Sequence, residues 1–397
     1  MDIETLRRDT PGCAHRAHLN NAGAALTSRH TLHAVTSHLE LEAMIGGYEA
    51  AATAAESIEH TYDALARLVG AGRDEIAVVE NATHAWDMAF YSLSFQPGDR
   101  ILTARAEYVS NAIAFLQTAR RYGVSVEVVP DDESGQLDVD ALRAMMDERV
   151  KLISVTHVPT GGGLVNPAAE IGKVAAEFGV TYLLDACQSV GQLPIDVAEI
   201  GCDLLSSTGR KYLRGPRGTG FLYCSRNMLE RMDRERMEPP FLDLHSATWT
   251  GPDTYRVRED ARRFENWETY YAGKIGLGVA ADAALDLGLD AIEQRVTRLA
   301  GTLRRRLRDL PGVEVHDRGR RQCGIVTFTV EGHDPRRVAD LLRSRAVNVS
   351  VAVAGHARWD FVPRGLETAV RASVHYYNTD EELDRLLDAL PGPVTGH

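Results

Sequence analysis

The sequence predicts an α/β fold, with a large domain built on a mostly parallel seven-stranded sheet between helices and a smaller α+β domain towards the C-terminus. Between about residues 75 and 225, short apolar and β-branched runs alternate with amphipathic stretches of helical period. Several of these runs are continuously apolar, which is typical of parallel strands covered by helices on both faces. A chain of 397 residues also exceeds the usual size of one hydrophobic core, so two domains are expected.

Seven strands are predicted in the large sheet, at residues 76–79, 101–103, 124–129, 152–156, 181–185, 203–207 and 220–224. Amphipathic segments at 112–122 and 168–178 are predicted helices, because each is followed by a glycine of the kind that ends helices. Ligands of such sheets bind beyond the carboxyl ends of the strands. Asp185, Thr208 and Lys211 fall at strand ends of this kind.

The C-terminal part of the chain has a different pattern. A long helix is predicted at about 277–300, and Gly288 is the candidate position for a break in it. It leads to predicted strands at 313–316, 324–330, 347–353 and 369–377 and to predicted helices near 335–345 and 380–390. We therefore assign residues 21–280 to the large domain, and residues 1–20 together with 281–397 to the small domain.

The composition is that of an ordinary globular protein, with 44% hydrophobic and 25% charged residues. A formal net charge of -12 argues against nucleic acid or an anionic membrane as a partner. No apolar run reaches membrane-spanning length, and Asp2 and Glu4 stand where a signal peptide has basic residues, so the cytoplasm is the expected location. The five cysteines are scattered without a CxxC pair, so neither a disulfide framework nor a metal site is indicated.

Lys211 is one of only four lysines, against 40 arginines, and it lies between the predicted strand at 203–207 and a glycine-rich turn at 215–220. Asp185 ends the preceding predicted strand. A carboxylate at the end of one strand and a lysine just past the next can face one pocket. That pair suits an aldehyde cofactor with a pyridine ring, because the lysine forms an imine with the aldehyde and the carboxylate keeps the ring nitrogen protonated. The alternative is a surface lysine in a loop.

Five motifs, in this order and spacing, carry a resemblance to a known family: residues 19–23 (LNNAG), 156–158 (THV) with 166–167 (NP), 185–188 (DACQ), 207–211 (STGRK) and 371–379 (RASVHYYNT). Together they resemble the class V aminotransferase group of fold-type I pyridoxal-phosphate enzymes. The relatives in this group include cysteine desulfurase, selenocysteine lyase, isopenicillin N epimerase and the ergothioneine-pathway C–S lyase. The resemblance covers nearly the whole chain and implies pyridoxal 5'-phosphate as the cofactor.

The resemblance implies a role for each residue around the cofactor ring. Lys211 would form the imine, Asp185 would hold the ring nitrogen, and Gln188 would hydrogen-bond the ring oxygen. Tyr108 falls where relatives often have a histidine, so it can stack on the ring but removes a group that titrates near neutrality. Lys211, Asp185 and Tyr108 are therefore the expected catalytic residues. The role of Thr160, where several relatives have an asparagine, is left open.

The cofactor's phosphate is expected at the start of a helix. Ala82 and Thr83 follow a predicted strand, open a helix and resemble the phosphate-binding turn of the family. Thr208 and Arg210 match the second half of the phosphate cup, with Arg210 in place of a histidine that is common in relatives. An N-cap of the helix is an alternative role for Thr83, and the two roles are compatible.

For an amino-acid substrate, the resemblance implies that Arg371 binds the α-carboxylate. Asn20 and Asn21 are expected to approach the same group, and His356 to face the pocket from a loop of the small domain. The alternative role for Arg371 is a structural salt bridge. Residues 264–272 stand where relatives contribute to the phosphate site of a neighbouring subunit, so a homodimer with a shared active site is expected.

Residues 347–371 contain no cysteine, whereas cysteine desulfurases need a mobile cysteine on the corresponding loop to accept the sulfur. Cys187 and Cys323 are expected to be buried and structural. We therefore predict a lyase that cleaves the C–S bond of a cysteine-derived amino acid by β-elimination, in sulfur or secondary metabolism. An aminotransferase, or an oxidative-deaminating or epimerising relative, is the alternative. The retained site residues disfavour a non-catalytic protein, and the absence of a GxGxxG turn disfavours a nicotinamide dehydrogenase.

Overall fold

The computed structural model describes residues 1–393. Its α-helices are α1 Ile3–Arg8, α2 Arg29–Ile45, α3 Gly47–Thr53, α4 Ala55–Val69, α5 Ala82–Tyr91, α6 Val109–Tyr122, α7 Val139–Ala144, α8 Ala168–Phe178, α9 Val197–Ile200, α10 Arg226–Glu235, α11 Tyr271–Leu287, α12 Leu289–Arg308, α13 Pro335–Ser344, α14 Arg358–Phe361 and α15 Asp380–Asp388. Its strands are β1 Ala17–His18, β2 Ile76–Val79, β3 Arg100–Thr103, β4 Ser125–Val128, β5 Val150–Thr156, β6 Thr181–Asp185, β7 Leu204–Thr208, β8 Gly220–Cys224, β9 Ala247–Gly251, β10 Thr254–Val257, β11 Val313–Val315, β12 Ile325–Val330, β13 Val347–Asn348, β14 Ser350–Val353 and β15 Thr368–Ser373. Among the described residues, no helix combines the length and the apolar character that crossing a bilayer requires.

Seven strands form the central sheet of the large domain, in the order β2-β8-β7-β6-β5-β3-β4. Neighbouring strands are parallel except at β8, which runs antiparallel to both β2 and β7. The prediction of a mostly parallel seven-stranded sheet is therefore confirmed, and each predicted strand overlaps an observed one. All five residues of β6 are buried, as expected for the middle strand of a sheet covered on both faces.

A second sheet in the C-terminal region has the order β11-β12-β15-β14, with every neighbouring pair antiparallel. The N-terminal segment joins this region, because β1 pairs in parallel with β13 and Asn20 forms a bridge with Ser373. The chain enters the large domain only after this pairing. The assignment of residues 1–20 to the small domain stays a prediction.

Two predicted strands of the small domain differ from those observed. The run at 347–353 is divided, because β13 pairs with β1 while β14 pairs with β15. The run at 369–377 ends as a strand at Ser373, since the next residues turn. That turn is held by the side chain of Asn378, whose Oδ1 accepts the backbone N–H of His375 at 2.7 Å.

The long predicted helix is interrupted at the expected position. Helix α11 ends at Leu287 and α12 begins at Leu289, with Gly288 between them at φ 81, a conformation that glycine adopts without strain. The predicted domain boundary at residue 280 therefore falls inside α11 rather than at the break. Helix α11 packs against α2 and α4, two N-terminal helices that the sequence analysis does not predict.

Gly172 is the tightest glycine position in the large domain's helical layer. A Cβ added there would lie 1.8 Å from the backbone oxygen of Ile200, at the contact between α8 and α9. Gly301, inside α12, has no atom within 4 Å of such a Cβ. The same substitution, glycine to alanine, can therefore be compared at a crowded helix position, Gly172, and at an open one, Gly301.

We predict that Gly172→Ala lowers the free energy of unfolding by about 1–3 kcal/mol, because the two helices must separate to admit the methyl group. Gly301→Ala should instead raise it by roughly 0.5–1 kcal/mol, since alanine favours a helix over glycine. Urea unfolding of both variants measures the difference. Equal effects of the two substitutions would contradict the close packing of α8 on α9.

Candidate active site

One cavity with about 500 Å³ of empty space lies at the carboxyl ends of β5, β6 and β7. Its lining includes every residue expected to bind the cofactor: Ala82, Thr83, Tyr108, Asp185, Gln188, Thr208, Arg210 and Lys211. Thr160 lines it as well, together with four residues to which the sequence analysis gives no role at the site: Asn81, Thr156, Val158 and Cys187. The structure therefore brings together side chains from separate strands and helices in one pocket, at the sheet edge where such folds bind ligands.

Asp185 is the last residue of β6 and is 5% exposed. Its Oδ1 accepts the backbone N–H of Cys187 at 2.9 Å, and its Oδ2 accepts the side-chain amide of Asn111 at 3.1 Å. One donor on each oxygen fixes the plane of the carboxylate. The carboxylate of Asp185 is thus held in one orientation in the lining of the cavity, where it can bind a protonated ring nitrogen.

Lys211 follows β7 and lines the same cavity. Burial lowers the pKa of its amine, and the nearby charges of Arg210 and Arg371 act in the same direction. The charge of Asp185 opposes this effect. A lowered pKa increases the unprotonated fraction of the amine, which is the form that reacts with an aldehyde and accepts a proton.

The turn after Lys211 is held by Arg214, whose backbone has the left-handed φ of 63. Its buried guanidinium donates to the backbone oxygen of Leu26 at 2.9 Å, to the hydroxyl of Tyr376 at 2.5 Å and to that of Thr10 at 2.7 Å. Such contacts offset an unfavourable backbone conformation. Arg214 thereby fixes the direction in which the chain leaves Lys211, a role that the sequence analysis misses.

The expected phosphate site lies at the start of α5. The N-cap of this helix is Asn81, whose side chain accepts the N–H of His84 at 2.9 Å, so the alternative of Thr83 as the N-cap is wrong. The N–H groups of Ala82 and Thr83 have no partner within the helix, as at any helix start. Gly220 of β8 lies close by, since a Cβ there would be 2.9 Å from the nitrogen of Ala82. The result is a cradle of backbone donors suited to a phosphate.

Arg371 lies in β15 and is 8% exposed. Its guanidinium donates to the backbone oxygen of Thr160 at 2.9 Å and to the hydroxyl of Thr160 at 2.7 Å, and it reaches Oδ1 of Asn20 at 3.4 Å. Burial lowers its pKa to about 10, so it stays charged at neutral pH. The sequence leaves the role of Thr160 open. These contacts indicate that Thr160 orients the guanidinium of Arg371.

None of the four residues expected at the substrate is in the lining of this cavity. Arg371 contacts Thr160, which is, and Asn20 contacts Arg371, whereas Asn21 and His356 make other contacts. Asn21 is fully buried, and its amide donates to the backbone oxygen of Ser373 at 2.7 Å, so it fastens the N-terminal segment to β15. His356 lies on a short exposed turn, and the neighbouring Phe361 packs against Gly161 instead. Both contacts join residues that are distant in sequence, so a linear pattern does not contain them. The expected roles of Asn21 and His356 at the substrate stay predictions.

Residues 264–272 also lie apart from this cavity's lining. Glu265 anchors the segment, because its buried carboxylate accepts the N–H of Val78 at 2.7 Å and the hydroxyl of Tyr62 at 2.8 Å. The ammonium of Lys274 lies 3.4 Å from the same carboxylate. Trp267, two residues further on, is 45% exposed. The segment is therefore fixed at its start and presents a large apolar side chain to its surroundings.

The residues of the cavity fit a polar ligand with an anionic group. Oε1 of Gln188 and Nε of Arg371 are buried atoms without a hydrogen-bond partner among the described residues. Buried polar atoms are rarely left in this state, so a bound molecule is the natural source of their partners. Together with the backbone donors of α5, the oriented carboxylate of Asp185 and the lowered pKa of Lys211, these donors and acceptors match pyridoxal 5'-phosphate.

Comparison with known proteins gives the same result. The model of the family described as Aminotransferase class-V matches residues 17–386. A probable cysteine desulfurase of Methanothermobacter thermautotrophicus is 31% identical over 400 residues, covering 98% of each chain. A second probable cysteine desulfurase, from Xylella fastidiosa, is 32% identical over 345 residues, covering 85% of this chain and 80% of the relative.

Solved structures resemble the whole chain. The apo structure of a cysteine desulfurase from Thermococcus onnurineus NA1 has a TM-score of 0.89 at 26% identity, covering 97% of this chain and 96% of the other. The cystine C–S lyase C-DES, in a complex with its reaction product cysteine persulfide, has a TM-score of 0.85 at 24% identity, covering 97% and 100%. The latter likeness is one of fold alone. The expected fold and the expected cofactor are both confirmed, and the chain belongs to the class V aminotransferase family of pyridoxal-phosphate enzymes.

Proposed function

We propose that the protein is a lyase that cleaves the C–S bond of a cysteine-derived amino acid by β-elimination, giving pyruvate and ammonia, in sulfur or secondary metabolism. The proposal rests on the state of its cysteines. Residues 347–371, which carry the sulfur-accepting cysteine in desulfurases, contain none. The names of the relatives support C–S cleavage of a cysteine-like substrate, while the thiols of this chain favour a route that does not use them.

The five thiols all lie within the described residues, and burial raises the pKa of each. The pKa rises to about 11 for Cys13 and for Cys323, well above the ordinary range for Cys187, and in the same direction for Cys202 and Cys224. A thiol is a poor nucleophile compared with a thiolate. Cys187, expected to be structural, lines the cavity, and burial raises the pKa of its thiol well above the ordinary range. The proposed route is therefore one in which the sulfur leaves without attack by an enzyme thiol.

The cofactor, when bound, supplies an electron sink for the bond that is broken at the substrate's Cα. Lys211 accepts the Cα proton, since its lowered pKa makes the neutral amine available. Arg371, oriented by Thr160, holds the α-carboxylate and so aligns the Cα–H bond with this amine. The Cβ–S electron pair departs with the sulfur as a thiolate or sulfenate. The enamine that remains takes up water and releases pyruvate and ammonia.

Tyr108 bears on the choice between lyase and aminotransferase. In place of the histidine common in relatives, it leaves Lys211 as the main proton carrier near the ring, which suits a reaction that moves one proton. An aminotransferase is the second candidate, because it needs the same lysine and the same carboxylate site. The two differ in one respect that can be measured, the need for a 2-oxo acid as amino acceptor.

We further infer a homodimer with a shared active site. Its support is a group of large apolar side chains that are exposed on one chain: Met44 at 73%, Tyr48 at 76%, Leu244 at 70% and Trp249 at 80%. Isolated exposed apolar residues are ordinary, but here they occur in two short segments, 44–48 and 244–249, which are the candidates for the subunit contact. Residues 264–272, anchored by Glu265, are the proposed contribution to the partner's phosphate site.

The first test of the lyase is acceptor dependence. Purified holoenzyme, given cysteine and cysteine conjugates, should produce pyruvate and ammonia in equal amounts at a rate that does not change when a 2-oxo acid is added. Lys211→Ala is the control and should release no product above the uncatalysed background. Turnover that requires the 2-oxo acid and yields a new amino acid would replace the lyase by an aminotransferase.

The role of Arg371 gives a second test. Arg371→Ala should lower kcat/KM by the equivalent of roughly 2–4 kcal/mol, because the charge-assisted hydrogen bonds to the α-carboxylate are lost. The cofactor's absorption should remain. Arg343→Ala, which removes an exposed arginine of α13 that pairs with Asp340, should leave kcat/KM within about twofold. An unchanged kcat/KM in Arg371→Ala would reject the carboxylate site and return Arg371 to a structural role.

A further inference from the structure

Two buried polar residues are connected to Asp185 by hydrogen bonds. Glu107 is 4% exposed and directly precedes the N-cap of α6, and Asn111 is 3% exposed and lies in its first turns. Neither lines the cavity. We propose that Glu107 and Asn111 are positioning residues, which together hold the carboxylate of Asp185 in the orientation that binds the cofactor's ring nitrogen. The proposal rests on the pyridoxal-phosphate site and not on the lyase chemistry.

Asn111 bridges two carboxylates. Its Nδ2 donates to Oε1 of Glu107 at 2.9 Å and to Oδ2 of Asp185 at 3.1 Å. An amide nitrogen carries two hydrogens, so both are used. Since the backbone N–H of Cys187 occupies Oδ1, the Asn111 contact completes a pair of donors that hold Asp185 from both sides.

Glu107 determines which end of the Asn111 amide faces Asp185. A side-chain amide can present either its oxygen or its nitrogen, and only the nitrogen suits a carboxylate. The carboxylate of Glu107 is a second acceptor for Nδ2 of Asn111. If the amide of Asn111 were turned over, its oxygen would face the carboxylates of both Glu107 and Asp185. Without Glu107, the side chain of Asn111 would lose one of the two contacts that select its orientation.

Glu107 is itself surrounded by donors. Its carboxylate accepts the hydroxyl of Thr103 at 3.0 Å, the N–H of Tyr108 at 2.7 Å, the N–H of Thr156 at 3.2 Å and the hydroxyl of Thr156. The N-terminal end of α6 adds a favourable field for a negative charge. These contacts fix the acceptor towards which Asn111 is directed.

A carboxylate at this place is costly. Burial, with a smaller contribution from the charge of Asp185, raises the pKa of Glu107 to about 7. A neutral side chain of similar shape would fill the same space without placing a second acid beside the first. The presence of an acid therefore indicates that its acceptor property, rather than its volume, is what the site uses.

The test measures cofactor binding to the apoenzyme, so it is independent of the substrate. Asn111→Ala should weaken the binding of pyridoxal 5'-phosphate by about tenfold or more, the usual effect of losing a hydrogen bond to a charged group. It should also shift the pH midpoint of the bound cofactor's absorption change. Glu107→Gln should shift the same midpoint in the same direction. In the double variant, Glu107→Gln should add little to Asn111→Ala, because Glu107 acts through Asn111.

A matched control is available in the small domain. Asn378 and Glu382 form a buried pair with the same spacing of four residues, since Nδ2 of Asn378 donates to Oε2 of Glu382 at 2.7 Å. Asn378→Ala should lower Tm without moving the absorption midpoint. If Asn111→Ala fails to fold, Asn111→Ser serves instead, because one hydroxyl can donate to just one of the two carboxylates.

Three results would overturn the proposal. In the first, Asn111→Ala lowers Tm as Asn378→Ala does and leaves both the cofactor affinity and the midpoint unchanged. In the second, the effects of Glu107→Gln and Asn111→Ala on the midpoint add in full, which would mean that Glu107 acts independently of Asn111. In the third, Glu107→Gln leaves the midpoint unchanged, and the acid then has no part in orienting Asp185. A failure of the lyase proposal leaves all of these measurements valid, since none uses turnover.

Discussion

The parallel pairing of β6 with β7 is the constraint on which the active site depends. Asp185 is the last residue of β6 and pairs with Ser206, so the end of β7 emerges directly beside it. Lys211 follows the last residue of β7, Thr208, after a short turn. A slip of one residue in this pairing would turn every side chain of the slipped strand to the opposite face of the sheet and separate the carboxylate from the amine.

The turn that carries Lys211 also needs both ends of the chain. Arg214 contacts Leu26 and Tyr376, which are 188 and 162 positions away in sequence. The N-terminal segment in turn pairs with β13 and with Ser373, next to Arg371. Cofactor lysine, substrate arginine and N-terminal segment are thus parts of one set of long-range contacts.

The sequence was sufficient for those features that local chemistry determines. Strands that contain a continuous apolar run, such as residues 182–184 of β6, and helices that end at a glycine, such as α8, are visible in the residue pattern. The hairpin of β9 and β10 is not, because its two strands are short and mostly exposed, so no buried apolar run marks them. The roles of Thr160, Asn21 and Glu107 could not be predicted for another reason. Each of these residues forms its hydrogen bonds with a partner that is distant in sequence and comes close only in the folded chain.

The central claim is that C–S cleavage proceeds without an enzyme thiol. Mass spectrometry of the holoenzyme during turnover of cysteine tests it most directly, by weighing the peptides that contain the five cysteines. If no enzyme thiol takes part, pyruvate accumulates while none of these peptides gains the mass of a sulfur atom. The physical reason is that burial raises the pKa of every thiol and so disfavours the reactive thiolate. A persulfide on Cys187 or Cys323 that forms at the rate of turnover would contradict the claim and identify the protein as a desulfurase with a relocated sulfur acceptor.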